Sequence, residues 1–306
     1  MNPLVSIVIP AYNHEQYVET AVLSALTQTY KHIEILLLND GSTDSTGAVC
    51  EDLAMQHRSI RYLSHSNMGA HSTINKGIQE ASGQFIAVLN SDDAYYPDKI
   101  ERCVTLADKN NALQLISGNV KFVDANGVCH VNGVCMDWQT RGHAFFDLSG
   151  LLPLSVLNEN FVTTTSNMFF TKALWKNVGG FQPLRYCHDL DFLMAAYRSG
   201  AYLYDKDTFH IMYRVHGTNT IKEDLAKVRV EIAAVIAASL VADNMHLLRA
   251  FDVENANHFL LFLKNKKLSN LIILLMVYYL SAGSREAYYQ KIYSDEIKTI
   301  CGSLLE

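Results

Sequence analysis

Three times in the first hundred residues a short apolar run breaks abruptly into polar groups. Val5–Ile9 gives way to Pro10, Ala11, Tyr12 and Asn13. Ile33–Leu38 gives way to Asn39, Asp40, Gly41, Ser42, Thr43 and Asp44. Phe85–Leu89 gives way to Asn90, Ser91, Asp92 and Asp93. Between the runs, apolar residues recur at helical spacing, as in Tyr17, Ala21, Val22, Ala25 and Leu26. Further helices are predicted over Thr46–Met55, around Ala70–Ala81 and over Pro97–Asp108, with Pro97 in a first turn, and a short strand over Ile60–Leu63. Apolar runs without alternation are strands covered on both faces. Repeated strand–helix units therefore predict an α/β fold, a mainly parallel sheet flanked by helices. Ligands of such sheets bind outside the carboxyl ends of the strands, so the three polar clusters are predicted to converge on one rim.

The middle of the chain is less regular. Leu113–Val123 reads as one or two strands, Ser166–Phe170 and Thr208–Val215 as strands, and Leu190, Leu193, Met194 and Tyr197 as the core stripe of a helix. Cys129–Leu157 has no clear period. After Gly217–Glu223 the pattern is helical to the end, which places a boundary near residue 220. The chain is therefore divided into a domain at 1–220 and a helical extension at 221–306.

With 49% hydrophobic and 18% charged residues, the chain can build a sizeable core and is not a disordered one. Its 25 Lys and Arg against 31 Asp and Glu give a formal charge of −6, so nucleic acid is not an expected partner. Six cysteines lie without CxxC or zinc-type spacing, which fits reduced thiols and a cytoplasmic protein. The first apolar run is too short, and too bare of basic flanks, for a signal peptide. Leu271–Leu280 falls short of the about 20 apolar residues that a membrane span needs.

Asp92 and Asp93 are the strongest single clue. Neighbouring carboxylates repel unless something positive lies between them, and Mg²⁺ or Mn²⁺ with hard oxygen ligands would serve. A solvated turn or a helix cap before Pro97 would serve as well. There is no GxGxxG and no GxxxxGK[ST], so neither a dinucleotide fingerprint nor a P-loop is present.

Taken together and in order, these segments resemble glycosyltransferase family 2, whose members have the GT-A fold, a Rossmann-like mixed sheet flanked by helices. The resemblance continues in Gly179-Gly180-Phe181, in His188-Asp189-Leu190-Asp191-Phe192 and in Tyr213-Arg214-Val215-His216. It covers about the first 220 residues.

The resemblance implies an inverting transfer of a hexose or N-acetylhexosamine from a UDP-sugar to a hydroxyl, with formation of a β-linkage. Pro10, Ala11, Tyr12 and Asn13 match the segment that lines the base. Asp40 matches the acid that contacts uracil or ribose, and it also suits a turn-stabilising role before Gly41. Asn90, Ser91, Asp92 and Asp93 match the DxD-type motif, with Asp93 on the metal and Asp92 toward the ribose or the metal's outer partners. Asn90 stands where many members have Asp, so the first position brings no charge. Asp189 matches the catalytic base; on its own it reads as a helix cap. His188 stands where the family has Glu. His216 matches a residue near diphosphate or metal, and a surface loop His remains open for it. The cofactor implied is Mn²⁺ or Mg²⁺.

The acceptor expected from this resemblance is a glycan, such as an O-antigen or capsule repeat unit carried on a lipid diphosphate. Lys264 to Lys267 beside apolar helix would allow peripheral contact with the cytoplasmic face of an inner membrane. The same helices would otherwise pack on the catalytic domain or on a second chain as a homodimer. Two rival readings remain. A nucleotidyltransferase would need a glycine- and Lys/Arg-rich loop after the first strand. The other is a non-catalytic module that binds a sugar nucleotide or a glycan.

Overall fold

The computed structural model describes residues 2–129, 134–242, 247–248 and 252–302. The chain opens with β1 (Val5–Ala11), α1 (Val18–Leu26), β2 (Ile33–Asp40), α2 (Thr46–Gln56), β3 (Ile60–His65), α3 (Ala70–Glu80) and β4 (Phe85–Val88). It continues with β5 (Ala94–Tyr95), α4 (Lys99–Lys109), β6 (Leu113–Val123), α5 (Val134–Ser149) and α6 (Leu152–Asn158). Next come β7 (Phe169–Thr171), α7 (Lys172–Asn177), α8 (His188–Ser199) and β8 (Ala201–Arg214). Helices α9 (Leu225–Ala242), α10 (Val253–Lys266), α11 (Ser269–Ser281), α12 (Arg285–Lys291) and α13 (Asp295–Gly302) follow.

Two compact units result, and the chain passes between them repeatedly. One consists of Met1–Val131, Val162–Phe181 and Ser199–His216, the other of Asn132–Phe161, Gln182–Arg198 and Gly217–Glu306.

The first unit carries the whole sheet, in the order β3-β2-β1-β4-β7-β6-β8-β5. β1, β2, β3 and β4 run parallel, while β7 lies antiparallel between β4 and β6. β1 and the second half of β2 are buried throughout. Each fully buried Ile or Leu there contributes about 1.5–3 kcal/mol. From β1 the chain builds outward through β2 and β3, then returns to place β4 on the other side. The crevice for a ligand in such a sheet therefore opens between the ends of β1 and β4.

The sheet is mixed, as the resemblance implies: β7 runs antiparallel to β4 and β6, and β5 antiparallel to β8. Leu113–Val123 is one strand. Ser166–Phe170 is not one strand: Thr165–Asn167 form a 3₁₀ turn, capped by the Thr164 hydroxyl accepting from Ser166 N–H, and pairing starts at Phe169. The described part of Cys129–Leu157 contains α5 and α6, separated at Gly150, which has φ of 62°.

The second unit is helical. α9 is apolar almost all round, as a helix buried on several sides must be. The Tyr288 hydroxyl donates to the Ala234 carbonyl at 3.2 Å and ties α12 to α9. Asp191 on α8 accepts from the Tyr289 hydroxyl at 2.7 Å and pairs with Arg285 at 3.0 Å, which ties α8 to α12. Among the described residues no helix is long and apolar enough to cross a membrane.

Candidate active site

The rim predicted from sequence forms in the first unit. Pro10 and Ala11 end β1 opposite Leu38 and Asn39. Tyr12 stands out from the surface, 42% exposed. Asn13 turns the chain at φ of 52°, and its side-chain oxygen accepts from Thr43 N–H at 2.8 Å. The loops after β1 and β2 are thereby locked together. Asp40, buried at the end of β2, accepts from the backbone N–H groups of Met68 at 2.7 Å and Gly69 at 3.1 Å. It thus fixes the turn before α3, and His65 Nδ1 lies 3.4 Å from its Oδ1. Gly41 is required at its place: φ is +67°, and a Cβ would lie 2.6 Å from Asn67 N.

Across the crevice between β1 and β4, three side chains face one another. His216 Nε2 lies 3.0 Å from Asp92 Oδ2, and His14 Nε2 lies 3.9 Å from the same oxygen. One ligand atom from each of His14, Asp92 and His216 lies within 4.8 Å of the others, an arrangement that can hold a metal ion. His14 Nδ1 is bonded to the Ser91 hydroxyl at 2.8 Å, which orients the ring and leaves Nε2 toward Asp92. Burial, opposed by Asp92, lowers the His14 pKa and favours the neutral ring that a metal needs. Burial works against the charge of Asp92, yet the His216 hydrogen bond and the two imidazoles outweigh it and hold its carboxyl below the usual range. Tyr17 backs the cluster, its ring centroid 5.0 Å from that of His216. The residues present therefore fit a divalent cation.

Asp93 is turned the other way. Its carboxylate accepts from the Ser166 hydroxyl at 2.6 Å and from Arg214 N–H at 3.0 Å, and it is fully buried. Burial first, and Asp92 second, push its pKa well up. The structure thus separates the acidic pair: Asp92 joins the metal-capable cluster, and Asp93 lies outside it, bracing β8 and the turn at Ser166. The Arg214 guanidinium donates to the carbonyls of Asp92, Asp124 and Ala125 at 2.9, 3.1 and 3.0 Å.

Asn90 faces two hydroxyls. Its amide donates to Thr164 Oγ1 at 2.8 Å and accepts from Thr165 Oγ1 at 2.9 Å. An amide offers one donor and one acceptor to that pair, which explains a neutral residue at this place. Lys99 is buried beneath the turn, with its amine on the Ser166 carbonyl and over the Tyr95 ring. The Gly179-Gly180-Phe181 segment is held by Asn75, whose side chain accepts from Phe181 N–H at 3.0 Å and from Trp175 Nε1 at 2.9 Å.

Asp189 belongs to the second unit, in the first turn of α8. Its carboxylate accepts from Leu190 N–H at 2.7 Å and lies 3.5 Å from the Asn160 amide. Burial raises its pKa to about 7, and the charge of Glu231 adds to that. A carboxylate tuned to that range can take a proton at neutral pH. Asp191 is committed to Tyr289 and Arg285. His14 is the member of the metal-capable cluster that motif reading passes over, because the matched segment stops at Asn13; its position one residue past a loaded strand end is the signal.

The sheet and its flanking helices are those of a GT-A-like, Rossmann-type transferase fold. The pattern of Glycosyl transferase family 2 matches residues 6–173, and the chain belongs to that family. It is 32% identical over 222 residues to the uncharacterized glycosyltransferase RP339 of Rickettsia prowazekii, a match that covers 72% of this chain and 66% of that one. The chain thus spans just under two thirds of that curated relative, and 18% of another from Rickettsia bellii. Among solved structures, TarS 1-349 of S. aureus in complex with UDP-GlcNAc has a TM-score of 0.60 at 17% identity, covering 98% of this chain and 90% of TarS 1-349. The mannosyltransferase PcManGT of Pyrobaculum calidifontis, in complex with GDP-Man and Mn²⁺, has a TM-score of 0.60 at 15% identity, covering 100% of this chain and 85% of that one.

Proposed function

We propose that the protein is a metal-dependent inverting glycosyltransferase that moves a hexose or N-acetylhexosamine from a UDP-sugar to a hydroxyl of a glycan acceptor. The observation that carries this reading is the His14–Asp92–His216 cluster, seated where β1 and β4 open the crevice of a family 2 fold. Two imidazole nitrogens and one carboxylate suit Mn²⁺ better than Mg²⁺, which prefers an all-oxygen octahedron. Such a cation, when bound, supplies charge neutralisation on the diphosphate leaving group. Pro10, Ala11, Tyr12 and Asn13 line the base, and Asp40 contacts uracil or ribose. Asp189 takes the proton from the acceptor hydroxyl as the oxygen attacks the anomeric carbon opposite the departing diphosphate. An α-linked donor then yields a β-linkage. In this reading the functional domain is 1–220, since it needs both Asp92 and Asp189, and 221–306 is its helical extension.

The acceptor proposed is a lipid-diphosphate-linked repeat unit of an O-antigen or capsule, met at the cytoplasmic face of the inner membrane. Support comes from α11, which exposes Ile273, Val277 and Leu280 at 60%, 63% and 72%. These residues form one helical stripe, and Lys264 and Lys267 lie just before it in sequence. A homodimer is the other cover for that stripe, and flotation with anionic vesicles against light scattering separates the two.

The donor reading is tested by calorimetric titration of UDP into the wild type and Asp92→Ala, each with Mn²⁺ and with EDTA. Binding is expected only where both the metal and Asp92 are present. Equal binding in all four samples would remove the metal from donor recognition. Binding of GDP in place of UDP would reassign the nucleotide.

A further inference from the structure

Glu231 lies in the middle of the apolar helix α9, between Val230 and the run Ala233–Ala238, and no part of it is exposed. A carboxylate in such surroundings costs several kcal/mol unless its lone pairs are filled. They are filled from one direction. Oε1 accepts from Arg185 N–H at 2.8 Å, and Oε2 accepts from Tyr186 N–H at 2.8 Å and Cys187 N–H at 2.7 Å. The Tyr293 hydroxyl donates to Oε1 and completes the set. Three consecutive backbone donors on one carboxylate fix three peptide planes at once. These are the last residues before α8, whose first turn carries Asp189, and the Cys187 carbonyl accepts from Asp191 N–H at 2.9 Å. Donors at a helix start are ordinarily met by a local Ser, Thr or Asp. Here a residue more than forty positions away meets them.

We infer that Glu231 is a positioning residue for sugar transfer: from α9 it holds residues 185–187 and so sets where the carboxylate of Asp189 stands. The inference rests on the reading of Asp189 as the base. It gives the helices after residue 220 a part in the chemistry, beyond packing. The charged and titratable groups around this clamp include Arg185, whose guanidinium pairs with Glu223 at 2.7 Å, Asp224 and Lys227 beside Tyr186, the phenols of Tyr186 and Tyr293, the Cys187 thiol, Lys266, Asp189 and Asp191. Glu231 is the like charge that helps hold Asp189 up.

The test measures hydrolysis of UDP-glucose, UDP-galactose and UDP-GlcNAc, with water as the acceptor that Asp189 deprotonates and UDP release as the readout, at saturating Mn²⁺, in the full chain and in Glu231→Gln, Tyr293→Phe and Asp189→Asn. In Glu231→Gln an amide NH₂ replaces one acceptor, so the loop loses register. The rate constant kcat is expected to fall about 10–100-fold, the scale set by a misplaced catalytic group. KM for the UDP-sugar and UDP affinity should stay within about twofold, because the donor residues stand on the other unit. The acid limb of the rate profile should move to lower pH, since a negative charge beside Asp189 is gone. Tyr293→Phe removes a single donor, and a fall in kcat of about threefold is expected. A Glu231→Gln protein with unchanged melting temperature, full kcat and an unmoved acid limb overturns the inference. If Glu231→Gln does not fold, full kcat in Tyr293→Phe overturns it. Retained turnover in Asp189→Asn sinks the base reading itself, whereas loss there with full activity in Glu231→Gln sinks only the clamp.

Discussion

Asp92 and Asp189 stand in different units, and their surroundings drive them to opposite ends. Around Asp92 two imidazoles outweigh burial and keep the carboxylate charged. Around Asp189 burial prevails over the hydrogen bonds to its carboxylate, and the carboxyl rises to about 7. In the proposed function one residue type thus serves as a ligand in the sheet unit and as a base in the helical unit. Pairs of carboxylates pushed apart in this way are how acid and base roles are assigned in a transferase.

The contrast can be broken by substitution. Asp189→Asn should lower kcat by about 10²–10⁴-fold, the usual worth of a general base, and leave UDP and Mn²⁺ binding intact. Steady-state rates beside calorimetry check this, and a loss of UDP binding would merge the two roles. Asp92→Ala should weaken Mn²⁺ binding by about 100-fold or more, because it removes a ligand and not merely an outer partner. Mn²⁺ titration followed by electron paramagnetic resonance reads that out.

The contrast can also be sharpened by pH. In this reading the base must be deprotonated, so with Mn²⁺ saturating the rate should be half-maximal near pH 7, level off above about pH 8 and fall about tenfold for each unit below about pH 6. A flat profile between pH 5.5 and 8 would take Asp189 out of the proton transfer. The smallest effect on metal binding is expected at Asp93. Asp93→Ala strands the Ser166 hydroxyl and Arg214 N–H, which costs about 1–3 kcal/mol of stability. Its Mn²⁺ affinity should change far less than that of Asp92→Ala. Equal losses in the two variants would return Asp93 to the metal.

The strands that build the rim were legible because their apolar runs are uninterrupted and end in polar clusters. β7 was legible only with its start set three residues early, since three residues carry no period and the polar Thr165, Ser166 and Asn167 before it are buried by a turn. The acidic pair was visible as a pair. Which member faces the cluster was not, because adjacent residues in a turn point apart and only the fold decides which side is inward. Asn90 read as a lost charge, and the two threonines that match its amide lie more than seventy residues away. Glu231 shows in the sequence as one acid in the apolar run Val228–Ala238. Its partners are backbone groups, which no side-chain motif can reveal.

The crossings at Val131/Asn132, Phe161/Val162, Phe181/Gln182, Arg198/Ser199 and His216/Gly217 have a consequence for inheritance. No single breakpoint in the gene separates sheet from helices. Exchange between genomes therefore cannot pass on either unit as a cassette, as it can for domains strung end to end. A lineage that acquires a new acceptor must reach it through substitutions and short insertions inside the woven segments. Relatives should then diverge most where the helical unit interrupts the sheet, and least along the strands on either side.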